Sequence, residues 1–332
     1  YIFTTDTMNR LIKKFQEILA ERGLKTALQR TCYYFQNQIY EITGLSYFIR
    51  HQLLVGGRGT ITWALYVKLY RLILEREIGT GVEIMAEDWD NLILLDAYRA
   101  DYFRAYSSLD GELSTVVSKA DHSSEFCVRN FQDGHYHVTS NVHYQTSPLI
   151  DESTFHALIN PVGMEGRPET SPELVTEAAL DAMEEFPNKR LIIHYMSPHT
   201  PHVGETSERL RDELGDNFPG IERLYRRGEI SKEQLEQSYL ETIRFIEDEI
   251  QTLLEKLEGK TVVSSDHGEN LGETQHGMTL TMHGNPSPEC RYVPWLERSF
   301  DERRDITEDP PVGFENLDEQ VVEQRLEALG YK

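Results

Sequence analysis

The chain is poor in lysine and in cysteine, and it has no long apolar run. Only 10 of its 33 basic residues are lysine, and they face 56 acidic residues, leaving a net charge of −23. A nucleic-acid binder needs a basic footprint to meet phosphates, so this balance excludes nucleic acid as a partner. A lysine-poor, acid-rich surface suits a protein that stays dissolved in concentrated salt, and a halophile-type chain is the expectation. The three cysteines, Cys32, Cys127 and Cys290, are odd in number and far apart. That excludes both a disulfide framework and a paired-cysteine metal site. The most apolar window, Ile61–Leu74, is interrupted by Lys68 and Arg71 and is too short to span a bilayer, so no transmembrane segment is expected. No N-terminal stretch has the basic, apolar and small-residue layout of a signal peptide, and the expected location is cytoplasmic.

At 332 residues the chain has room for one α/β domain and an appendage. Residues 1–85 read as a helical extension. Met8–Glu21 and Trp63–Glu75 carry apolar residues at three- and four-residue spacing, punctuated by Gly23, Gly44 and Gly56–Gly57. Residues 86–300 read as an α/β domain, and residues 301–332 as a polar link followed by a short amphipathic helix over Glu315–Tyr331.

From Trp89 the pattern changes. Asn91–Leu95 and Arg190–Met196 are nearly continuous apolar runs, and Thr261–Ser265 is a run of β-branched residues and serines, as in strands buried on both faces. Tyr136–Ser140 is a weaker strand. Pro172–Phe186 reads as a helix capped by Ser171, with proline in the first turn. Ser231–Leu257 reads as a long helix with a Ser231/Gln234 capping box and Gly259 as its stop. Tyr239, Ile243, Ile246, Ile250 and Leu253 lie along one face of it. Strands alternating with helices imply a mostly parallel central sheet with helices on both faces.

The three strongest strands all end in polar residues: Asp96, the Ser-Pro-His-Thr-Pro-His run holding His199, and the pair Asp266-His267. Ligands bind beyond the carboxyl ends of parallel strands, so these side chains converge if the strands are neighbours. Taken singly, each has an ordinary role. Asp96 or Asp266-His267 would cap a helix, and His199 would be an exposed loop histidine. Together they read as one site, whose mixture of carboxylate and imidazole suits a divalent metal, zinc or manganese over calcium.

The segments NLILLDAYRAD, HYMSPHTPH, SYLETIRFIEDEIQTLLEKL and VVSSDHGENLGE, followed by His283-Gly-Asn-Pro and Arg291-Tyr-Val-Pro294, occur in the order found in sulfatases and their relatives of the alkaline-phosphatase superfamily. The resemblance covers about residues 89–297. It implies an alkaline-phosphatase/sulfatase-like α/β fold and a metal-dependent hydrolase of sulfate or phosphate esters acting on a small-molecule or glycan ester. It also implies Asp96, Asp266 and His267 as metal ligands, His199 on the ester or leaving-group oxygens, and His283 (or His276) as a further metal or substrate ligand. The sulfatase nucleophile motif C/S-x-P-x-R is absent. In Ser118–Phe126 the nucleophile position falls on Ser123 or Asp121, and Ser123 is preferred, with Ser124 and Ser118 behind it. A non-catalytic sulfatase-fold protein, and a transferase moving a phosphoryl-linked group onto a glycan, remain the alternative readings. Arg99 and Asp101 read as a helix-surface pair, and Glu269 as an acid in the first turn of a helix.

Overall fold

The computed structural model describes residues 61–131, 135–139, 154–159, 161, 171–215 and 218–314. The helices expected over Met8–Glu21 and Glu315–Tyr331 lie outside these residues. The segment Trp63–Glu75 falls within helix α1 (Ile61–Ile78). No helix among the described residues is long and apolar enough to cross a membrane.

Strand β1 (Asn91–Asp96) occupies the middle of an eight-stranded sheet. It pairs in parallel with β5 (Leu191–Pro198) on one side and β6 (Thr261–Ser265) on the other. Beyond β5 the sheet continues in parallel through β3 (His135–Thr139), β4 (Phe155–Ile159) and β10 (Gly313–Phe314). Beyond β6 it turns antiparallel through β9 (Tyr292–Glu297) and β2 (Glu112–Val117). The mostly parallel sheet expected from the alternating pattern is therefore present.

Alternate side chains of the central strands enter two separate cores, which is why the runs are apolar without a break. Ile93, Leu95, Ile193 and Val263 join helices α4 (Pro172–Glu185) and α7 (Lys232–Leu254) on one face. Leu92, Leu94, Ile192 and Val262 join Trp89, Phe131 and helix α3 (Ser123–Asn130) on the other. Tyr239, Ile243, Ile246, Ile250 and Leu253 of α7 are all buried to 1% exposure or less, so the expected stripe is a core face. The capping box is formed: Ser231 accepts from the Gln234 amide, and the Gln234 side chain accepts from the Ser231 amide.

Helix α2 (Ala100–Tyr106) follows β1. Helices α5 (Glu205–Leu214) and α6 (Ile221–Arg226) lie between β5 and α7. A hairpin of β7 (Asn270–Gln275) and β8 (Met278–Met282) follows β6 and leads through the short helix α8 (Pro288–Arg291) into β9. The His276-Gly277 turn has positive φ at both residues, the geometry that suits the twist of a two-residue hairpin loop. Past β9 the chain runs along the amino ends of the parallel strands toward β10 at the far edge. There Arg303 forks onto the buried Asp90 at 2.8 and 2.9 Å, and Arg304 donates to Asn91 Oδ1 at 2.8 Å. This strap ties the amino end of β1, away from the polar strand ends.

Candidate active site

The pairing of β5, β1 and β6 brings the three polar strand ends together. Asp96, Asp266 and His267 are each at most 1% exposed, and each offers one ligand atom within 4.8 Å of the others. Asp96 Oδ1 lies 3.4 Å from His267 Nε2, and Asp266 Oδ2 lies 3.5 Å from the same nitrogen and 3.6 Å from His194 Nε2. Asp266 is aimed by two backbone amides, of Ala97 (3.2 Å) and His267 (2.8 Å), which donate to its Oδ1. Ala97 takes the left-handed conformation (φ 65°), held by Tyr239 Oη donating to its carbonyl at 2.7 Å. A non-glycine residue in this conformation costs on the order of 1–3 kcal/mol and persists only where its surroundings hold it.

Hydrogen bonds fix the imidazole tautomers. His267 Nδ1 is 2.8 Å from the Gly268 carbonyl, which can only accept, so Nδ1 carries the proton and Nε2 presents a lone pair. His199 is arranged in the same way, with Nδ1 on the Thr200 carbonyl at 2.6 Å. Its buried Nε2 has no hydrogen-bond partner among the described residues.

Gly268 makes the turn after His267 possible by its lack of a side chain rather than by its φ. Its amide donates to the Cys290 carbonyl at 2.8 Å, and an added Cβ would fall on the Glu289 carbonyl oxygen.

Ser123 opens α3 and is fully buried. Its Oγ lies 3.1 Å from both Asp96 Oδ2 and His267 Nε2, so one hydroxyl proton faces two acceptors. Two of the other candidates, Ser118 and Asp121, point elsewhere. Ser118 Oγ donates to the Asp266 carbonyl at 2.5 Å, which makes it a brace for the strand end. Asp121 is bound to His122 Nδ1 at 2.8 Å and to Arg71.

A second buried group adjoins the first. His199, Glu269 and His283 offer ligand atoms within 4.8 Å of one another. The His283 ring centroid lies 4.8 Å from that of His199 and 4.6 Å from that of His267. His283 Nδ1 is 3.3 Å from Glu269 Oε2. His276 is exposed at the hairpin turn and packs on Tyr70, outside the site.

Two expectations are corrected. Glu269 is not in a helix: it precedes the extended β7 and is 4% exposed, because the chain after Gly268 enters a hairpin. Arg99 does pair with Asp101, at 2.7 Å, but it is buried rather than on a helix surface. Its Nη1 also reaches Glu273 Oε1 at 2.5 Å and the Glu269 carbonyl at 3.3 Å, tying α2 to the hairpin.

Charge is distributed as a cation site requires. Burial, then the neighbouring Asp266 charge, push the Asp96 carboxyl well above the usual range. Burial works against ionised Asp266 as well, but His267 and His194 outweigh it and hold its carboxyl low. Burial, followed by the adjacent Glu222, raises Glu269. Burial and the facing His267 bring His199 down to about 4, and burial depresses His283. His199 and His283 are therefore neutral, as metal ligands must be. Two carboxylates and an imidazole nitrogen, with the buried Oδ2 of Asp266 lacking a hydrogen-bond partner among the described residues, fit a divalent cation.

No protein-family model matches the chain, and no curated protein does. Solved structures with similar architecture exist. One is the integral membrane lipooligosaccharide phosphoethanolamine transferase A of Neisseria meningitidis, 16% identical over 64% of this chain and 48% of that one, TM-score 0.42. The chain thus spans about half the length of that transferase. Another is the C-terminal periplasmic domain of phosphoethanolamine transferase EptC of Campylobacter jejuni, 13% identical over 64% of this chain and 78% of that one, TM-score 0.44. A third is BT4656 in complex with its substrate D-glucosamine-2-N,6-O-disulfate, 13% identical over 72% and 76%, TM-score 0.40. At these identities the reading of the site rests on the chain's own residues.

Proposed function

We propose that the protein is a metal-dependent enzyme that moves a tetrahedral sulfuryl or phosphoryl group from an ester, with Ser123 as nucleophile. The observation that carries this reading is the position of Ser123 Oγ, 3.1 Å from both Asp96 Oδ2 and His267 Nε2. A buried serine with its proton facing two acceptors, beside two carboxylates at parallel strand ends, is an activated nucleophile rather than a packing residue.

Asp96, Asp266 and His267 would hold the divalent ion, with zinc or manganese as the fitting choices. When bound, such an ion supplies a lowered hydroxyl pKa and charge stabilisation for the reacting oxygens. In the first half-reaction Ser123 Oγ attacks the sulfur or phosphorus atom, and the bond to the ester oxygen breaks. The Ser123 proton passes to the Asp96 Oδ2 that faces it and from there to the leaving oxygen, which departs as a hydroxyl. In the second half a water or an acceptor hydroxyl attacks the seryl ester and restores Ser123. His199 presents Nε2 as a lone pair, so it takes the proton of this second nucleophile and gives it up to solvent, while the departing Ser123 Oγ takes up one proton in exchange. His283 and Glu269 flank the same space and orient the group that enters or leaves.

The test is turnover of chromogenic sulfate, phosphate and phosphonate esters by metal-analysed protein. Ser123→Ala should lose at least about 10³-fold in kcat at unchanged metal content. No turnover by the folded, metal-loaded parent on any of the three would overturn the enzyme reading in favour of a non-catalytic role. Rates that rise with added glycan hydroxyl acceptor would identify a transferase, and acceptor-independent rates a hydrolase.

A further inference from the structure

The Ser123 turn carries a bracket from a distant part of the chain. Asp121 and Glu125 stand two residues either side of Ser123, and both are buried. Arg71 of α1 forks across them. Its Nη2 lies 2.8 Å from Asp121 Oδ2 and 2.8 Å from Glu125 Oε2, and its Nη1 lies 2.7 Å from Glu125 Oε1. Arg129 adds a second ion pair to Glu125 at 2.8 Å. Asp121 passes the constraint on in two directions. Its Oδ1 binds His122 Nδ1 at 2.8 Å, and its carbonyl accepts from the Gly284 amide at 2.7 Å, beside His283.

We infer that Arg71 is a positioning residue, through which α1 holds the Asp121–Glu125 turn so that Ser123 Oγ faces Asp96 and His267. This rests on the reading of Ser123 as nucleophile. The physical reason is the fork. Two buried carboxylates four residues apart repel each other, and a planar guanidinium is the one side chain that satisfies both in a fixed geometry. With the bracket gone, Asp121 and Glu125 separate or take up protons, and the residue between them turns with them. The hydrogen bonds and ion pairs of the Arg71 side chain among the described residues go to Asp121 and Glu125 and not to Asp96, Asp266, His267 or Ser123, so it acts through the turn.

The experiment is Arg71→Ala and Arg71→Lys in the full chain, with millimolar guanidinium or urea added. Arg71→Ala is expected to lose on the order of 10²-fold in kcat, as for a displaced nucleophile, with KM changed only a few-fold and metal content equal to the parent. Guanidinium should restore kcat saturably, whereas the neutral isostere urea should not. Arg71→Lys, with charge but no fork, should recover only part. Hydrogen exchange of residues 118–126 should quicken in Arg71→Ala and slow again with guanidinium, a readout that needs no turnover. Parent-like kcat and parent-like exchange in Arg71→Ala would overturn the inference. So would equal rescue by urea, or loss of metal alongside activity. If the parent turns over no ester, exchange alone decides, and the failure then belongs to the reading of Ser123 and not to the bracket.

Discussion

The amide of Gly284 donates to the carbonyl of Asp121 across 2.7 Å, joining the turn before Ser123 to the turn after His283. One backbone bond thus sets the spacing between the nucleophile side of the site and the His199–Glu269–His283 side. Neither side is free to move alone, and substitutions on one should be felt on the other.

Asp266→Asn is expected to weaken zinc or manganese binding by more than about 10²-fold, beyond the cost usual for an outer-shell partner. The amide oxygen still accepts from Ala97 and His267, so the metal-free variant should melt within a few degrees of the metal-free parent. Metal titration and melting in chelator check both halves, and unchanged stoichiometry and affinity would remove Asp266 from the site.

Gly268→Ala should be far more damaging than its size suggests. The new methyl would meet the Glu289 carbonyl, and the Cys290 carbonyl on the next residue already holds the Gly268 amide. Overpacking of this kind costs about 1–3 kcal/mol. A lowered Tm together with weakened metal binding is the expected pair, since His267 is the preceding residue. A variant with parent-like values for both would show that the turn has slack.

Metal-free protein should lose stability as pH falls from about 6.5 toward 4.5. Burial, partly offset by Asp266, brings His194 down to about 4; burial and His267 do the same for His199. Burial also depresses His202 and His283. A depressed imidazole contributes stability above its unfolded value that is lost below it, because the unfolded chain then binds the proton more tightly. Burial raises Asp96 and Glu269, which act in the opposite sense. Burial works against protonated His122, but its hydrogen bond to Asp121 raises it, so it joins these two, and four groups against three leave the net slope positive. Urea unfolding in chelator at several pH values measures it, and a flat or inverted profile would contradict the buried neutral imidazoles.

The charge of −23 predicts a Tm that rises between dilute buffer and molar salt, because self-repulsion is screened. Melting curves across that range check it, and a flat dependence would end the salt-adapted reading.

The central strands were legible because burial on both faces writes an unbroken apolar run, and their polar ends stood out against it. The long helix was legible from its cap and its stripe. Glu269 was misread because an acidic residue after Asp-His-Gly looks like a helix start. The signal against it is the His276-Gly277 turn between two alternating segments, which marks a hairpin. Arg99 looked superficial because Asp101 is close in sequence, whereas its burying partners, Glu269 and Glu273, lie about 170 residues away. Arg71 had no local signal at all: an arginine within an apolar helical window shows its role only when Asp121 and Glu125 are seen across from it. The preference for Ser123 over Ser118 and Asp121 came from the resemblance, and only the folded positions separate what the three side chains do.

The two cores on either side of β1 bear on how this chain can evolve. Slipping the strand by one residue would exchange Leu92 and Leu94 for Ile93 and Leu95 between the cores, and it would carry Asp96 off the sheet's edge toward the wrong face. An insertion or deletion there cannot trade activity for stability, since both are written in the same reading frame of the pleat. Drift in this strand is confined to swaps of size and shape at fixed length.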